Sequence, residues 1–215
     1  MSIEKDTRKY YEHSKERSYL HPVIQAFSVP KYKWISQQIN LKNKTFLEVG
    51  GGNGYFSQHF EKETNLTVLD ISKNQLDSNP ASNKIIGSAY NLPFEDNSFD
   101  IVFCSNLLHH LENPLQAIKE MARVSKKQVI ISEPNIFNPI LFLGSLIIKH
   151  ERGALKSSKE FLTKLLNQAN LKIIKHTFIG GIVMPNGTPE FVLPFSNPSS
   201  KSKWSFFQIF ITEKE

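Results

Sequence analysis

The residues best placed to do chemistry form a glycine-rich turn, residues 50–54 with the sequence GGGNG, which directly follows the apolar segment 45–49. Glycine adopts positive φ angles readily and lets a ligand approach the backbone closely. A helix that starts just after such a turn also offers free backbone N–H groups. The turn therefore predicts a binding site for a nucleotide-like ligand.

The spacing of the glycines narrows the choice of ligand. A dinucleotide-binding turn follows the pattern G-x-G-x-x-G, but Tyr55 and Ser57 stand where its third glycine is required. Glu48, two residues before the first glycine, disfavours a phosphate and favours a cationic group. Asp70 ends the next apolar segment, where a carboxylate can accept hydrogen bonds from two ribose hydroxyls. A ligand with a ribose, a positive charge and no phosphate is indicated, and S-adenosylmethionine fits.

The elements that must position these residues are short apolar segments that alternate with helical ones. Strands are predicted over residues 45–49, 66–70, 84–87, 99–105 and 128–132, with further β-rich stretches at 171–183 and 204–212. Helices are expected over about 55–63, 113–124 and 157–169. The alternation predicts βαβ units and a mostly parallel sheet covered on both faces. Such sheets bind ligands at the carboxyl ends of their strands, so the turn and Asp70 are expected along one edge.

The composition allows few other classes of protein. The net charge is +6, but only four of the 26 basic residues are arginines and the lysines are scattered. This pattern leaves nucleic acid open as a partner without favouring it, because phosphate and base contacts favour arginine. Cys104 is the only cysteine, so an internal disulfide is excluded.

The hydropathy pattern predicts a cytoplasmic protein. No apolar run reaches the roughly 18 residues that a membrane span needs, and the longest, residues 136–148, is interrupted by polar residues, proline and glycine. The first six residues carry charges where a signal peptide would place its apolar core. Contact of residues 136–148 with a membrane surface stays open.

Four segments together resemble the class I S-adenosylmethionine-dependent methyltransferases, and within them the group related to the ubiquinone and menaquinone methyltransferases. They are residues 47–54, 68–72, 87–94 and 99–111. The resemblance implies an α/β, Rossmann-like fold with a seven-stranded, mostly parallel sheet and helices on both faces. It also implies S-adenosyl-L-methionine as cofactor, with S-adenosyl-L-homocysteine as product.

The resemblance carries over a set of cofactor-binding positions. Glu48 and Gly50 would line the methionine moiety, Asp70 would hold the ribose, and Asn106 would meet the amino end of the cofactor. Ser88 departs from the family, which commonly has an acidic residue there to accept from the adenine amino group, and Ala89 would share that task. The remaining positions are Gly51, Gly52 for close packing of the cofactor, Ile71 against the adenine, and Tyr11 closing over the cofactor.

Methyl transfer needs a general base only if the acceptor arrives protonated. The candidates for this role are His109, His110 and Glu133. The alternative for the histidines is packing against the end of the cofactor, and the alternative for Glu133 is a structural carboxylate that accepts from backbone amides. No metal site is predicted.

The predicted domain organisation separates a shared core from regions that would select the acceptor. Residues 1–44 would form an N-terminal helical arm of two short helices, with Pro22 and Pro30 as boundaries, and residues 45–215 the cofactor-binding domain. An insertion at about 136–156 and a loop at about 184–203 would face the acceptor.

The leading functional hypothesis is methylation of a small or apolar molecule at O, N or C. RNA or protein methylation and a non-catalytic cofactor-binding partner subunit are the alternatives. The oligomeric state is left undetermined.

Overall fold

The computed structural model describes residues 16–214, apart from the side chains of residues 149 and 150. Tyr11 therefore lies outside the described residues. Among the described residues, seven strands form one sheet in the order β3-β2-β1-β4-β5-β7-β6, in which β7 runs antiparallel to both of its neighbours, β5 and β6, and the other pairs are parallel. The strands are β1 (Thr45–Val49), β2 (Asn65–Asp70), β3 (Lys84–Ile86), β4 (Phe99–Ser105), β5 (Ser125–Pro134), β6 (Leu171–Ile179) and β7 (Phe207–Lys214).

Within residues 16–214, six α-helices and three 3₁₀ segments accompany the strands. The helices are α1 (Pro22–Gln38), α2 (Ser57–Phe60), α3 (Lys73–Asp77), α4 (Pro114–Val124), α5 (Pro139–Ile147) and α6 (Lys159–Gln168). The 3₁₀ segments are Leu108–His110, Lys149–Lys156 and Glu190–Phe195. Helix α4 begins as its sequence predicts, because Asn113 accepts from the backbone N–H of Gln116 and Pro114 occupies the first helical position.

Two apolar clusters cover the two faces of the sheet. Helix α1 contributes Phe27 and Ile35 to one cluster, which also contains Phe46 of β1. Helices α4 and α6 contribute to the other, with Met121 and Leu166 as fully buried members. The predicted doubly covered, mostly parallel sheet is confirmed.

Parallel pairing brings the carboxyl ends of the central strands to one edge. Val49 of β1 lies beside Leu69 of β2 on one side and Cys104 of β4 on the other, and Cys104 lies beside Ile131 of β5. The residues that follow these positions therefore surround one space. The fold thus places the glycine turn beside Asp70 and the segment after β4.

The predicted break at Pro30 is wrong. Helix α1 continues through Pro30 as a single helix of 17 residues, because residues on both sides of the proline bury the same face in the core. Phe27 lies before it and Ile35 after it, both almost fully buried. The Nζ of Lys31 also donates to the carbonyl of Phe27 at 2.8 Å.

The helix predicted over about 55–63 is also shorter than expected. Only residues 57–60 are α-helical, since hydrogen bonds of the tighter i→i−3 type flank them, such as those from the N–H groups of His59 and Glu63. By contrast, β5 extends the predicted strand in both directions.

Candidate active site at the carboxyl ends of the strands

The glycine turn is held against the end of β2 and stays open on its other side. The N–H groups of Gly50 and Gly51 both donate to the carbonyl of Leu69, at 2.7 and 3.3 Å. Gly52 has a φ of +49°, and an added Cβ would have no neighbour closer than Asp70 Oδ2 at 4.0 Å. A side chain at this position would be strained and would fill the open space, so glycine leaves room for a ligand to lie on the backbone.

Asp70 is the carboxylate that faces this space from the end of β2. Its Oδ2 accepts from the N–H of Gly52 at 2.9 Å and its Oδ1 from the N–H of Ser72 at 2.8 Å. Burial raises the pKa of Asp70, and the backbone hydrogen bonds oppose that rise. Each carboxylate oxygen keeps lone-pair capacity, so the geometry suits acceptance of hydroxyl groups from the cavity.

Glu48 lies beneath the turn and is almost fully buried. Its Oε2 accepts from the hydroxyl of Ser57 at 2.6 Å. The amide of Asn79 reaches the same hydroxyl and the carbonyl of Gly52, both at 2.9 Å. Burial raises the pKa of Glu48 to about 8, the Ser57 hydrogen bond lowers it, and the charge of Asp70 raises it further. A cation in the cavity would therefore be needed to favour the ionised form fully.

Asn106, just after β4, combines a left-handed backbone conformation with an unpaired side-chain oxygen, as a ligand-binding residue can. Its φ is +53°, and its N–H donates to the carbonyl of Ser132 at 2.9 Å. Its side-chain oxygen is buried and has no hydrogen-bond partner among the described residues. A buried acceptor without a donor is costly, and Asn106 lines the cavity described below.

The three candidate bases are all buried, and two of them form an ion pair. Glu133 accepts from the N–H groups of Leu107 and Leu108 through Oε1, and from His109 Nδ1 through Oε2 at 2.7 Å. His109 Nε2 lies 3.5 Å from the carboxylate of Glu151. Burial alone would lower the pKa of His109, but the two carboxylates raise it to about 10.

This geometry assigns His109 and Glu133 structural contacts. A protonated imidazole between two carboxylates has no lone pair with which to accept a proton. The carboxylate of Glu133 holds three groups of the segment after β4 in place. The ring of His110 is buried with its centroid 3.9 Å from that of His109, and His110 lines the cavity.

The ligand atoms of His109, His110 and Glu151 all lie within 4.8 Å of one another. This spacing could accommodate a metal ion, yet the ion pairs of His109 already account for the cluster. The predicted absence of a metal site stays a prediction.

The residues predicted to face the adenine also lie at the cavity. Ile71, Ser88 and Ala89 all line it. The hydroxyl of Ser88 accepts from the N–H of Tyr90 at 3.2 Å, which leaves one acceptor position and the hydroxyl proton for a ligand.

A cavity of about 440 Å³ joins these residues, a size within the range of small-molecule sites. The glycine turn, Asp70 and Asn106 form a polar wall of the cavity. Leu141, Met184 and Phe207 belong to an apolar wall. The insertion and the loop that the sequence predicted both contribute to this apolar wall.

The N-terminal segment ties that loop to the glycine turn. Arg17 Nη1 donates to the carbonyls of Pro185 and Thr188 at 2.9 and 2.8 Å, while its own carbonyl accepts from Asn53. The carboxylate of Glu16 accepts from the hydroxyl of Tyr55 and from the amide of Asn186. These contacts connect residues 16–17, the glycine turn and the loop at about 184–203 beside the cavity, which Glu16, Pro185 and Asn186 help to line.

The chain is similar to known proteins in both sequence and fold. Residues 47–132 match the sequence model of a family described as a methyltransferase domain. The match covers the glycine turn, Asp70, Ser88 and the segment after β4. The family resemblance predicted from the four motifs is confirmed.

Relatives of this domain match less than half of the chain. The ubiquinone biosynthesis O-methyltransferase of Coxiella burnetii is 33% identical over 105 residues, which cover 45% of this chain and 45% of that enzyme. The chain spans about half the length of the curated relatives it matches.

Two solved structures share the fold of almost the whole chain. A methyltransferase from Thermotoga maritima has a TM-score of 0.71 and 18% identity, covering 89% of this chain and 92% of its own. The magnesium protoporphyrin IX methyltransferase from Synechocystis, solved with bound S-adenosylmethionine, has a TM-score of 0.64 and 13% identity, covering 100% and 98%. Within residues 16–214, no helix is both long and apolar enough to cross a membrane.

Several contacts around the cavity were not predicted from the sequence. Asn79 supports the turn from a loop without a motif, and Glu16 and Arg17 act across more than 160 residues of chain. Glu151 reaches His109 because Gly153 packs against the His109 carbonyl, where an added Cβ would lie at 1.6 Å. Gly153 was the available signal, since a glycine in a polar segment marks a close backbone approach.

Proposed function

We propose that the chain is an S-adenosylmethionine-dependent methyltransferase that methylates a small or apolar acceptor at O, N or C. The single observation that carries this proposal is the cavity, which has a polar wall with the glycine turn, Asp70 and Asn106 and an apolar wall with Leu141, Met184 and Phe207. The family and the relatives support the cofactor. The apolar wall supports the class of acceptor.

The residues present fit the cofactor. Asp70 offers carboxylate lone pairs to ribose hydroxyls, and the open face of Gly52 leaves space for close approach. The orphaned Oδ1 of Asn106 would gain a donor from the amino group of the methionine moiety. Glu48, with its raised pKa, would become fully ionised beside that cationic moiety.

The chain's contribution to the reaction would be alignment and exclusion of water. When bound, S-adenosylmethionine supplies a methyl group on a sulfonium, which is a good leaving group for in-line displacement. The glycine turn, Asp70 and Asn106 would fix the donor, while Leu141, Met184 and Phe207 would orient the acceptor against it. Orientation of this kind can contribute about 7–11 kcal/mol in favourable cases.

Because Glu133 and His109 pair with each other, His110 is the remaining candidate for proton transfer among the three predicted bases. It lines the cavity beside His109. For acceptors that arrive without a proton to lose, its role would be packing. The cytoplasm remains the proposed location of the reaction.

Calorimetry tests the cofactor and a transfer assay tests the acceptor. Titration of S-adenosylmethionine and S-adenosylhomocysteine into the full chain should show binding of both, and absence of binding would overturn the proposal. Methyl-labelled cofactor is then incubated with the protein and a cell extract, which is separated into RNA, protein, lipid and small-molecule fractions. Label in the lipid or small-molecule fraction is expected, whereas label in RNA or protein alone would show that the acceptor class is wrong. Binding without labelling of any fraction would favour a non-catalytic partner subunit.

A further inference from the structure

Helix α5 presents an apolar surface to solvent on most of its circumference. Only Leu141 and Ser145 of this helix are buried. The exposed residues of the surface, with the residues flanking the helix, are Phe137, Ile140, Phe142, Leu143, Leu146, Ile147 and Ile148. Ile147 is 79% exposed and Leu143 is 58% exposed. A helix that is apolar all round is normally buried, and a contiguous apolar patch of this kind marks an interaction surface.

Trp204 extends the α5 surface at the amino-terminal end of the helix. The side chain of Asn138, the N-cap of α5, donates to the Trp204 carbonyl at 2.5 Å, which fixes the two segments side by side. Trp204 is 54% exposed, and Lys203 Nζ lies 5.3 Å from the centre of its ring. Tryptophan beside lysine is typical of side chains at a membrane–water interface.

The charge around the α5 surface has one sign. Residues 134–150 and 191–212 contain no Asp or Glu. Lys201 and Lys203 lie exposed near the start of α5, and Arg152 and Lys156 lie exposed in the segment after its end. The nearest acidic residue after the helix, Glu151, is directed at His109. Basic side chains therefore bracket the apolar surface, and the two stretches 134–150 and 191–212 add no carboxylate to it.

We infer that the α5 surface docks on an anionic lipid bilayer, with α5 and Trp204 in the interface and the bracketing basic residues on lipid headgroups. Apolar area combined with lysine and arginine is the combination that binds amphipathic helices to anionic membranes. A symmetric dimer on this face is disfavoured because it would bring identical lysines of two copies together.

The α5 surface is continuous with the cavity. Leu141 and Ile148 line the cavity, while Ile140 and Ile147, next to them in the helix, face solvent. One helix thus separates the bilayer from the apolar wall, and an acceptor dissolved in the bilayer would have a short route to the cavity. This statement about entry rests on the proposed function, whereas docking itself does not.

Vesicle co-sedimentation tests the docking. The full chain is mixed with vesicles of phosphatidylcholine alone or with 30% phosphatidylglycerol (about one third anionic, enough to attract basic side chains). Binding is expected only to the anionic vesicles and should weaken with added salt. The double variant Leu143→Glu and Ile147→Glu, and separately Lys201→Glu with Lys203→Glu, should each bind about tenfold more weakly or worse.

Matched controls make the same chemical changes elsewhere. Ile86→Glu with Ile174→Glu places two carboxylates on isoleucines that are exposed on the edge strands β3 and β6, and Lys42→Glu with Lys172→Glu reverses the same amount of charge as the lysine variant. Both controls should bind the vesicles as the parent does. Equal loss in the controls and the α5 variants would overturn the assignment of the surface.

Two further measurements separate the alternatives. Light scattering gives the molar mass of the chain without lipid, and a dimer that the Leu143→Glu and Ile147→Glu variant dissociates, with no vesicle binding, would show that a second copy covers the surface. Calorimetry with S-adenosylmethionine on the same preparations should give equal affinities for the parent and the α5 variants. Vesicle binding by a chain that does not bind the cofactor would support the docking and overturn the proposed function. Cofactor binding by a chain that does not bind vesicles would support the proposed function and overturn the docking.

Discussion

His109 and Glu133 form a fully buried ion pair, with 2.7 Å between Nδ1 of the imidazole and Oε2 of the carboxylate. The same carboxylate accepts from the N–H groups of Leu107 and Leu108. The pair therefore fixes the whole segment after β4, including the cavity-lining Asn106. Its effect on function would be exerted through the position of that segment.

Stability should depend on pH through this pair. Because the pKa of His109 rises from its ordinary 6.5 to about 10 on folding, the protonated imidazole stabilises the native state fully below pH 6.5. This stabilisation is lost as the pH rises through 10. Urea unfolding from pH 6.5 to 10 should show a falling free energy of unfolding.

Glu133→Gln should remove most of that pH dependence and cost about 3–5 kcal/mol at neutral pH, since it leaves a buried charge without its partner. Glu95→Gln, at an exposed position, is the control and should change neither quantity. A Glu133→Gln protein with an unchanged pH profile would contradict the assigned pair.

Asp70→Asn should weaken binding of S-adenosylmethionine by at least about tenfold, because a charge-assisted hydrogen bond contributes about 1.5–3 kcal/mol. The amide keeps one acceptor for the turn, so thermal unfolding should change much less than affinity. Asp77→Asn, on the exposed side of α3, should leave calorimetric affinity unchanged. Equal affinities of the two variants would remove Asp70 from the proposed ribose contacts.

Affinity for S-adenosylmethionine should rise with pH between 6.5 and 8. The pKa of Glu48 is about 8 without a cation beside it, so binding that favours the ionised carboxylate must release a proton below that pH. Affinity should then change by up to about tenfold per pH unit. In calorimetry, Glu48→Gln should lose the part of the pH dependence of affinity that comes from this carboxylate. The control Glu160→Gln, on the exposed face of α6, should retain it.

Asn106→Gly should separate binding from stability. Glycine adopts the positive φ of this position readily, and the substitution removes a buried amide oxygen without a partner. The melting temperature should stay level or rise, while cofactor affinity falls. Asn97→Gly, at a similar φ in an exposed loop, should not alter affinity, and an unaffected Asn106→Gly would exclude contact between Asn106 and the cofactor.

Gly153→Ala and Gly144→Ala should have opposite effects on stability. A Cβ at Gly153 would overlap the His109 carbonyl, whereas Gly144 has nothing within 4 Å. The first substitution should destabilise by at least about 1–3 kcal/mol, and the second should stabilise α5 by up to about 1 kcal/mol. Differential scanning calorimetry of both proteins measures the contrast, and similar melting temperatures would contradict the close packing at Gly153.

The sequence predicted the parts of the site that follow from local pattern and sheet geometry. The glycine turn and Asp70 could be placed together because parallel strands end at one edge. The role of His109 could not be decided, since its protonation depends on buried contacts with Glu133 and with Glu151, which separate segments of the chain bring to it. Pro30 misled the prediction because burial on both sides of the proline outweighs its local cost.

The position of the cavity walls along the chain has a consequence for how such a protein can change over time. The glycine turn, Asp70 and Asn106, which we propose to hold the donor, precede the end of β5, whereas Leu141, Met184 and Phe207, which we propose to face the acceptor, come later. The later segments can diverge while the earlier half is inherited intact. Grafting residues 136–156 and 184–203 from one such protein into another would then exchange the choice of acceptor and leave the donor half as it was.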